Sequence, residues 1–164
     1  MMKKIALFPG SFDPFTNGHL QTLKYADPLF DQIYIAVETN TQKVGLFSFV
    51  EKKEMIEESI ADLSNVEVIE QPGKLTVEVA KKLNAQFLIR GIRNSADFQY
   101  EADISNMNHT LDPTIETVFF IPPKHFTYIS STMIREVSSL GGDVSNVVPA
   151  PVVKKLKEKF KING

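Results

Sequence analysis

Ten residues near the amino terminus combine the groups that bind and activate a phosphate. They run from Gly10 to His19 and read Gly-Ser-Phe-Asp-Pro-Phe-Thr-Asn-Gly-His, between a buried-strand pattern at Ile5 to Phe8 and a segment with helical periodicity. A glycine-punctuated turn at such a junction points free backbone N–H groups and the positive end of the helix dipole at an anion. A purely structural turn would explain the glycines but not a histidine at the helix start. The loop, with the hydroxyl of Ser11, therefore predicts phosphate chemistry, although a serine in a turn is also a common local hydrogen-bonding residue.

A second segment carries two arginines at the end of a strand. It reads Ile-Arg-Gly-Ile-Arg-Asn from Ile89 to Asn94, so that Arg90 and Arg93 bracket a glycine. Arginine matches the geometry of a phosphate with two parallel donors and stays charged when it is partly desolvated. The alternative is a pair of surface arginines that meet carboxylates of the following helix, such as Asp97 or Glu101. The position after a buried strand favours a binding role.

A third segment, Phe126 to Thr132, runs from a loop into a predicted helix and ends in three consecutive hydroxyl residues. A single serine at this place is explained as a helix cap, worth about 1 kcal/mol. Three hydroxyls beside unpaired N–H groups indicate a cradle for a polyphosphate. Taken alone, this segment supports a helix cap and a phosphate-binding cradle equally. The first loop, considered with it, favours phosphate binding.

Strand and helix patterns alternate along the chain and predict how these segments are positioned. The strand patterns are Lys4 to Pro9, Gln32 to Glu38, Val66 to Glu70, Phe87 to Arg90 and Glu116 to Ile121; the helical ones follow the first loop, Ser48, Ser130 and Pro149 or Pro151, or cover Thr76 to Asn84 and Asp97 to Leu111. This alternation predicts an α/β fold: a Rossmann-like, doubly wound, five-stranded parallel sheet in a single domain over residues 1–164, with a carboxyl-terminal helix. Ligands of such sheets bind beyond the carboxyl ends of the strands at the topological switch point, where the three segments would meet.

Composition restricts the classes of function. The net charge of −2 over 164 residues argues against non-specific nucleic-acid binding, and no apolar stretch approaches the length of a membrane span, so we expect a cytoplasmic protein without nucleic-acid or membrane partners. Without cysteine, the chain has no disulfides and no thiol chemistry. His109 and His125 have no spacing typical of metal ligands, and the carboxylates suggest no metal cage. Any Mg²⁺ is expected to arrive with nucleotide phosphates.

Taken together, the segments resemble a known superfamily. Thr16 to His19 matches the (H/T)-x-G-H signature of the nucleotidyltransferases, and Ile129 to Thr132 matches their second signature. Pro9 to Pro14, Arg90 to Asn94 and Asp97 to Glu101 resemble, within that superfamily, the phosphopantetheine adenylyltransferase family. The likeness covers nearly the whole chain, and the middle block is the most specific part of it.

The resemblance implies transfer of the adenylyl group of ATP to 4′-phosphopantetheine, giving dephospho-coenzyme A and pyrophosphate, with Mg²⁺ entering with ATP. It also implies a homohexamer and feedback binding of coenzyme A. Two alternatives remain open from the residues alone. One is another nucleotidyltransferase of the superfamily, with nicotinate mononucleotide or glycerol phosphate as acceptor. The other is a nucleotide-binding module without catalysis, which the intact histidine and phosphate loop disfavour.

Residue roles also follow from the resemblance. His19 would contact the α-phosphate and stabilise its developing charge, Ser11 and Lys43 would position the attacking phosphate, Arg90 would hold the same substrate, and Thr76 would contact the pantetheine arm. The residues that would hold ATP are Ser11, Phe12, His19, Gly91, Ile92, Arg93, Glu101, Phe126, Thr127, Tyr128, Ile129, Ser130, Ser131 and Thr132. Composition alone would make Lys43 a solvated lysine of a polar loop, and the match to the family raises it to a candidate.

The chain departs from the commonest family pattern at several of these places. Ser11 stands where threonine is frequent, which keeps the hydroxyl. Phe8 and Phe126 stand where tyrosine and tryptophan are frequent, which predicts looser packing against the nucleotide. Val44 and Gly45 stand where a basic residue and proline are common, which puts the stiffness of that loop in question.

Overall fold

A parallel sheet forms the centre of the computed structural model, which describes residues 2–39 and 44–161. Its five strands lie in the order β3-β2-β1-β4-β5, and each neighbouring pair is parallel. The chain builds outward from β1 to one edge, returns, and builds to the other edge, so the switch point lies between β1 and β4. The predicted five-stranded, doubly wound sheet is confirmed. The strands are β1 (Ile5–Gly10), β2 (Gln32–Thr39), β3 (Val66–Pro72), β4 (Phe87–Gly91) and β5 (Glu116–Phe120).

Six α-helices flank this sheet within the described ranges. They are α1 (Asn17–Ala26), α2 (Phe49–Ser59), α3 (Thr76–Lys82), α4 (Ser95–Leu111), α5 (Ser131–Ser139) and α6 (Ala150–Phe160), with short 3₁₀ turns at Asp27–Leu29 and Lys124–Phe126. None of the helices described is both long enough and apolar enough to span a membrane.

Local capping chemistry sets the helix boundaries. Ser48 and Glu51 form the predicted capping box of α2, with the Glu51 N–H donating to Ser48 Oγ at 3.3 Å and the Ser48 N–H to a Glu51 carboxylate oxygen at 2.7 Å. Helix α4 starts two residues before the predicted Asp97 because the side chain of Asn94 accepts the N–H of Asp97 at 2.9 Å. Helix α3 ends at Lys82, short of the predicted Asn84, whose φ of +55° is incompatible with a continuing helix.

The core divides into two clusters because alternate strand residues face opposite sides of the sheet. The larger cluster packs one face against α1, α2, α5 and α6, and includes Ile35, Ile89 and Leu156. The smaller packs the other face against α3 and includes Leu7 and Leu88. The carboxyl edge of the sheet is therefore open to both layers of helices, and a ligand there can touch both.

Candidate active site

A cavity of about 560 Å³ lies at the carboxyl ends of the strands, at the switch point, where all three predicted segments meet. Pro9, Gly10 and Ser11, around the end of β1, line it, as do Arg93, Asp97 and Pro122. The α1/α5 half, as we name it, comprises the lining residues Phe8, Phe12, Thr16, Gly18, His19, Thr22, Gly91, Phe126, Ile129, Ser130 and Ser131. The α3/α4 half comprises Glu38, Thr76, Leu88, Arg90, Tyr100, Glu101, Ile104 and Asn108. The volume lies within the range typical of small-molecule sites.

Close packing shapes the loop between β1 and α1. Phe12 is buried with a φ of +45°, and a Cβ at Gly10 would lie 3.0 Å from the Phe12 ring, closer than an ordinary van der Waals contact, which favours glycine beneath that ring. Ser11 is exposed between them and lines the cavity. With the Phe12 side chain turned into the core, its backbone is the part available to a ligand.

His19 lines the cavity and also caps its own helix. The Thr16 N–H donates to His19 Nδ1 at 3.0 Å, and the His19 N–H donates to Thr16 Oγ1 at 3.3 Å, which completes a capping box on α1. Because Nδ1 accepts a hydrogen bond, the proton of the neutral ring is assigned to Nε2. The free polar group of the imidazole is therefore an Nε2–H donor.

Burial keeps this imidazole neutral. The ring lies among three phenylalanines, with ring-centre distances of 5.0 Å to Phe12, 5.6 Å to Phe15 and 6.2 Å to Phe8. This desolvation, followed by the charges of Arg93 and Arg90, lowers the pKa of His19 from 6.5 to about 4. At neutral pH His19 is an uncharged donor rather than a cation.

Arg90, near the end of β4, and Arg93, just after that strand, both bind carboxylates of α4. Arg90 forms two hydrogen bonds of 2.6 Å with the carboxylate of Glu101 and donates a third to the Pro9 carbonyl at 3.0 Å. Arg93 pairs with Asp97 through Nε at 2.8 Å and donates to the Ile129 carbonyl at 2.9 Å. The Arg93 bonds lower the pKa of Asp97. The ion pairs weighed from the sequence exist. Both arginines also line the cavity, and their role in binding a ligand stays a prediction.

The three hydroxyls before and within α5 all have partners in the protein. Ser130 caps the helix by accepting the Met133 N–H at 3.1 Å, Ser131 Oγ donates to the Pro14 carbonyl at 2.8 Å, and Thr132 Oγ1 accepts from Arg135 at 3.3 Å. Ser131 thereby joins α5 to the first loop. Ser130 and Ser131 line the cavity, whereas Thr132 is exposed outside the lining.

The buried carboxylate of Asp13 anchors the loop between β1 and α1 to the neighbouring elements. Asp13 accepts the N–H groups of Leu46 and Phe47 at 2.8 and 3.0 Å, and Lys52 Nζ and Arg135 Nη1 each lie 4.0 Å from its oxygens. Arg135 also donates to the Asp13 carbonyl. Burial lowers the pKa of Lys52, although Asp13 acts in the opposite direction. This cluster joins the loop to α2, α5 and the segment before α2.

Comparisons with known proteins agree with this geometry. The sequence model of the cytidylyltransferase-like family matches residues 7–137. A phosphopantetheine adenylyltransferase of Lacticaseibacillus paracasei is 58% identical over 98% of this chain and 96% of its own length. Proteins of the same name from Latilactobacillus sakei and Lactobacillus johnsonii are 50% and 46% identical, over 98% and 95% of this chain and 98% and 94% of their own lengths.

The chain belongs to the phosphopantetheine adenylyltransferase family. It is therefore an enzyme, a nucleotidyltransferase, as the sequence predicted. A solved structure from Vibrio parahaemolyticus, named for a candidate nicotinate-nucleotide adenylyltransferase, superimposes with a TM-score of 0.72 at 20% identity, covering 99% of this chain and 98% of the other. That likeness confirms the fold.

The cavity of this adenylyltransferase brings together most of the residues predicted for its site. Lining it are Ser11, Phe12, His19, Thr76, Arg90, Gly91, Arg93, Glu101, Phe126, Ile129, Ser130 and Ser131. Ile92 is buried, Tyr128 and Thr132 are exposed, and Thr127 donates to the Lys124 carbonyl; these four do not line the cavity. Lys43 lies outside the described residues. His109 and His125 are exposed and lie outside the cavity lining.

Sequence reasoning missed part of the α3/α4 half. Glu38, Ile104 and Asn108 line the cavity although no motif pointed to them. The position of Glu38 at the end of β2 could have identified it. Strand β2 pairs with β1, and the carboxyl ends of parallel strands lie at the same edge of the sheet. Ile104 lies three residues after Glu101 and Asn108 four residues after Ile104 on α4, so the helical repeat would have found both.

Proposed function

We propose that this cavity transfers the adenylyl group of ATP to 4′-phosphopantetheine, which gives dephospho-coenzyme A and pyrophosphate. The observation that carries the proposal is a single cavity in which a neutral imidazole donor, the start of α5 and two arginines meet at the switch point. The name shared by relatives up to 58% identical supports the reaction and does not favour nicotinate mononucleotide or glycerol phosphate as acceptor. A role in coenzyme A biosynthesis follows from it.

The two halves of the cavity suit the two substrates. The α1/α5 half presents backbone N–H groups at two helix starts and the half-buried Phe126, which suits the phosphates and base of ATP. The α3/α4 half adds the apolar side chains of Leu88 and Ile104 to Thr76 and Arg90, which suits a phosphate attached to a long, uncharged arm. We place ATP in the first half and phosphopantetheine in the second.

The chemistry needs no base to create the nucleophile, because an oxygen of the acceptor's phosphate monoester is already nucleophilic. An oxygen of the acceptor phosphate forms a bond to the α-phosphorus of ATP while the bond from that phosphorus to the bridging oxygen breaks, and pyrophosphate leaves with the electron pair. His19 donates its Nε2–H to a non-bridging α-phosphate oxygen and stabilises the charge that develops there. Arg90 and Ser11 hold the attacking phosphate in line. We assign Lys43 to the same phosphate on the family resemblance.

Mg²⁺ enters, in this proposal, as the complex with ATP. The described part of the chain contains no group of three His, Cys, Asp or Glu side chains that could hold a metal ion. The protein's own side chains therefore do not form a metal cage there, and Mg²⁺ with several waters on the phosphates suits such a site.

We further propose a cytoplasmic homohexamer that binds coenzyme A as a feedback ligand. The family resemblance suggests all three properties, and α4 adds a physical reason for assembly. Three apolar side chains on one side of this helix are more than half exposed: Tyr100, Met107 and Leu111. Such a surface on one helix is typical of a contact with another subunit. Sedimentation equilibrium of the purified chain tests the assembly, and a monomer would reject it.

An acceptor panel tests the reaction. With ATP and Mg²⁺, pyrophosphate release is measured for 4′-phosphopantetheine, nicotinate mononucleotide and glycerol 3-phosphate. We expect release with the first alone, and equal or greater release with either of the others would reject the proposed acceptor. The absence of release with all three, while ATP still binds, would favour a non-catalytic module.

A further inference from the structure

Helix α5 binds the loop between β1 and α1 through two consecutive carbonyl groups of that loop. Ser131 Oγ donates to the Pro14 carbonyl at 2.8 Å, and Arg135 Nη1 donates to the Asp13 carbonyl. Ser131 and Arg135 are about one turn apart and lie on the same face of α5. Because the loop is bound at two neighbouring points, both its distance from the helix and its orientation are fixed.

These contacts lie behind the surface that a ligand would meet. Phe12 and Thr16, on either side of the two carbonyl groups, line the cavity. Asp13, Pro14 and Arg135 do not. Side chains of α5 thus hold two carbonyl oxygens that would repel a phosphate if they were turned toward the cavity. Any effect of Arg135 on a ligand must therefore pass through the loop that it holds.

The charge of the Asp13 carboxylate does not by itself explain Arg135. That carboxylate accepts two backbone N–H groups, and Lys52 Nζ lies 4.0 Å from it, the same distance as Arg135 Nη1. The side chain of Lys52 is 6% exposed and that of Arg135 is 35% exposed, so Lys52 is the less screened counter-charge. What Arg135 adds is the bond to the backbone of the loop.

Thr132 orients the guanidinium group of Arg135. Its Oγ1 accepts from Arg135 Nη2 at 3.3 Å, about one turn earlier on the same helix. This bond engages one nitrogen of the planar group while Nη1 reaches the Asp13 carbonyl. The rigid fork of arginine holds both partners at once, whereas the ammonium group of a lysine is a point charge on a flexible chain.

We propose that Arg135 is a positioning residue that sets the spacing between the loop after β1 and the start of α5. The loop lines the cavity with Ser11 and Phe12, and the helix start lines it with Ser130 and Ser131. In the proposed reaction the phosphates of ATP contact both, so a change in their spacing misaligns the α-phosphorus for in-line attack. The inference rests on that reaction, and Arg135 itself touches no substrate.

Steady-state kinetics of the full chain with ATP, Mg²⁺ and 4′-phosphopantetheine tests this role, and thermal unfolding is measured for each variant. Arg135→Met removes the charge and both donors, whereas Arg135→Lys keeps the charge and one donor nitrogen. Lys52→Met is the matched control, because it removes a cation at the same distance from the Asp13 carboxylate and leaves the loop carbonyl groups bound. An inactive wild type rejects the proposed reaction, whereas an active wild type whose Arg135→Met variant is unchanged rejects only the positioning role.

We expect Arg135→Met to lower kcat about tenfold and to raise the KM for ATP more than the KM for 4′-phosphopantetheine, because the misplaced loop and helix contact ATP. Arg135→Lys should recover part of kcat. Lys52→Met should keep kcat and both KM values within about twofold of wild type, even where its unfolding temperature changes. Equal kinetic losses in Arg135→Met and Lys52→Met would make Arg135 a counter-charge and overturn the proposal.

The Asp13→Asn background separates the two roles again and applies even if Arg135→Met alone does not fold. Asp13→Asn removes the carboxylate charge and keeps the backbone carbonyl, so the Asp13→Asn/Arg135→Met double variant has no unpaired carboxylate at this position. Arg135→Met should still lower kcat in this background, because the bond to the loop carbonyl is lost. Loss of the effect in Asp13→Asn would show that only the charge matters and would overturn the proposal.

Discussion

The two halves of the cavity offer opposite chemistry to a ligand. No side chain assigned to the α1/α5 half is a carboxylate, and its imidazole is neutral, so the half presents mainly oriented dipoles and donors. The Arg93–Asp97 ion pair, which also lines the cavity, is joined to this half by the bond from Arg93 to the Ile129 carbonyl. The α3/α4 half combines two carboxylates with Leu88 and Ile104, and its cation, Arg90, is already bound to Glu101. In the proposed function, a chain with a net charge of −2 holds anionic phosphates by local geometry and an uncharged arm by shape and hydrogen bonding.

The largest effect should come from the donor of the α1/α5 half. His19→Ala removes the Nε2–H that we propose donates to the α-phosphate, and we expect turnover to fall by about 100-fold or more while ATP binding stays measurable by calorimetry. His109→Ala, at an exposed histidine outside the cavity lining, is the matched control. Near-normal turnover of His19→Ala would show that dipoles and arginines suffice and would remove the proposed catalytic role.

The two arginines should separate the halves kinetically. Arg90→Ala should raise the KM for 4′-phosphopantetheine by about tenfold or more and the KM for ATP much less, whereas Arg93→Ala should do the reverse. Steady-state kinetics with each substrate varied in turn makes the measurement. The opposite pattern would exchange the substrates between the halves.

Loss of Arg90 also leaves the buried Glu101 carboxylate without its partner, which destabilises the fold independently of binding. Thermal unfolding of Arg90→Ala beside an Arg90→Ala/Glu101→Ala double variant separates the two effects. The double variant should regain stability but not affinity for the acceptor.

The support beneath the first loop should matter for folding. Asp13→Ala removes the acceptor of two N–H groups and leaves the buried Lys52 without a counter-charge, so we expect a loss of about 3 kcal/mol in the free energy of unfolding. Urea unfolding gives this value. Asp13→Ala/Lys52→Met should lose less, and an equal loss in both variants would mean that the Lys52 charge adds nothing.

The smallest expected effect concerns the titration of His19, which should be absent near neutral pH. Because the pKa of His19 is about 4 in the free protein, its imidazole should show no ionisation between pH 5.5 and 8 in a histidine NMR titration, whereas an unperturbed imidazole would titrate near 6.5. Stability should respond instead. The unfolded histidine has the higher pKa, so unfolding takes up a proton between these values. The contribution of His19 is complete above pH 6.5 and decreases as the pH falls toward 4. Histidine NMR titration and unfolding of wild type against His19→Asn check both statements.

The sequence predicted the fold and the α1/α5 half well, for a physical reason. Apolar strands, a capping box at Ser48 and glycine-punctuated loops are local signals, and a parallel sheet brings their ends to one edge. The carboxylate partners of Arg90 and Arg93 could also be predicted from the sequence, since Asp97 and Glu101 lie on the next helix.

The α3/α4 half was less predictable because its residues become neighbours only through packing. Glu38 and Gln71 lie in ordinary strand segments, and only the strand register places them side by side. The Asp13 cluster joins residues more than 100 positions apart, such as Arg135. The observed strand ends differ from the predicted ones by one or two residues. Strand β3, for example, ends at Pro72 because its pairing with β2 continues past the apolar run.

His19 has a place in the helix cap as well as in the cavity. Its Nδ1 holds the first turn of α1, and its Nε2 is the donor that we propose for the phosphate, so folding of the helix start also orients that donor. The stretch from the end of β1 to His19 is therefore a transplantable unit. An engineer who moved the histidine alone into another sheet would lose its orientation, whereas one who moved the strand end, Thr16 and the helix start together would carry the tautomer along with the side chain.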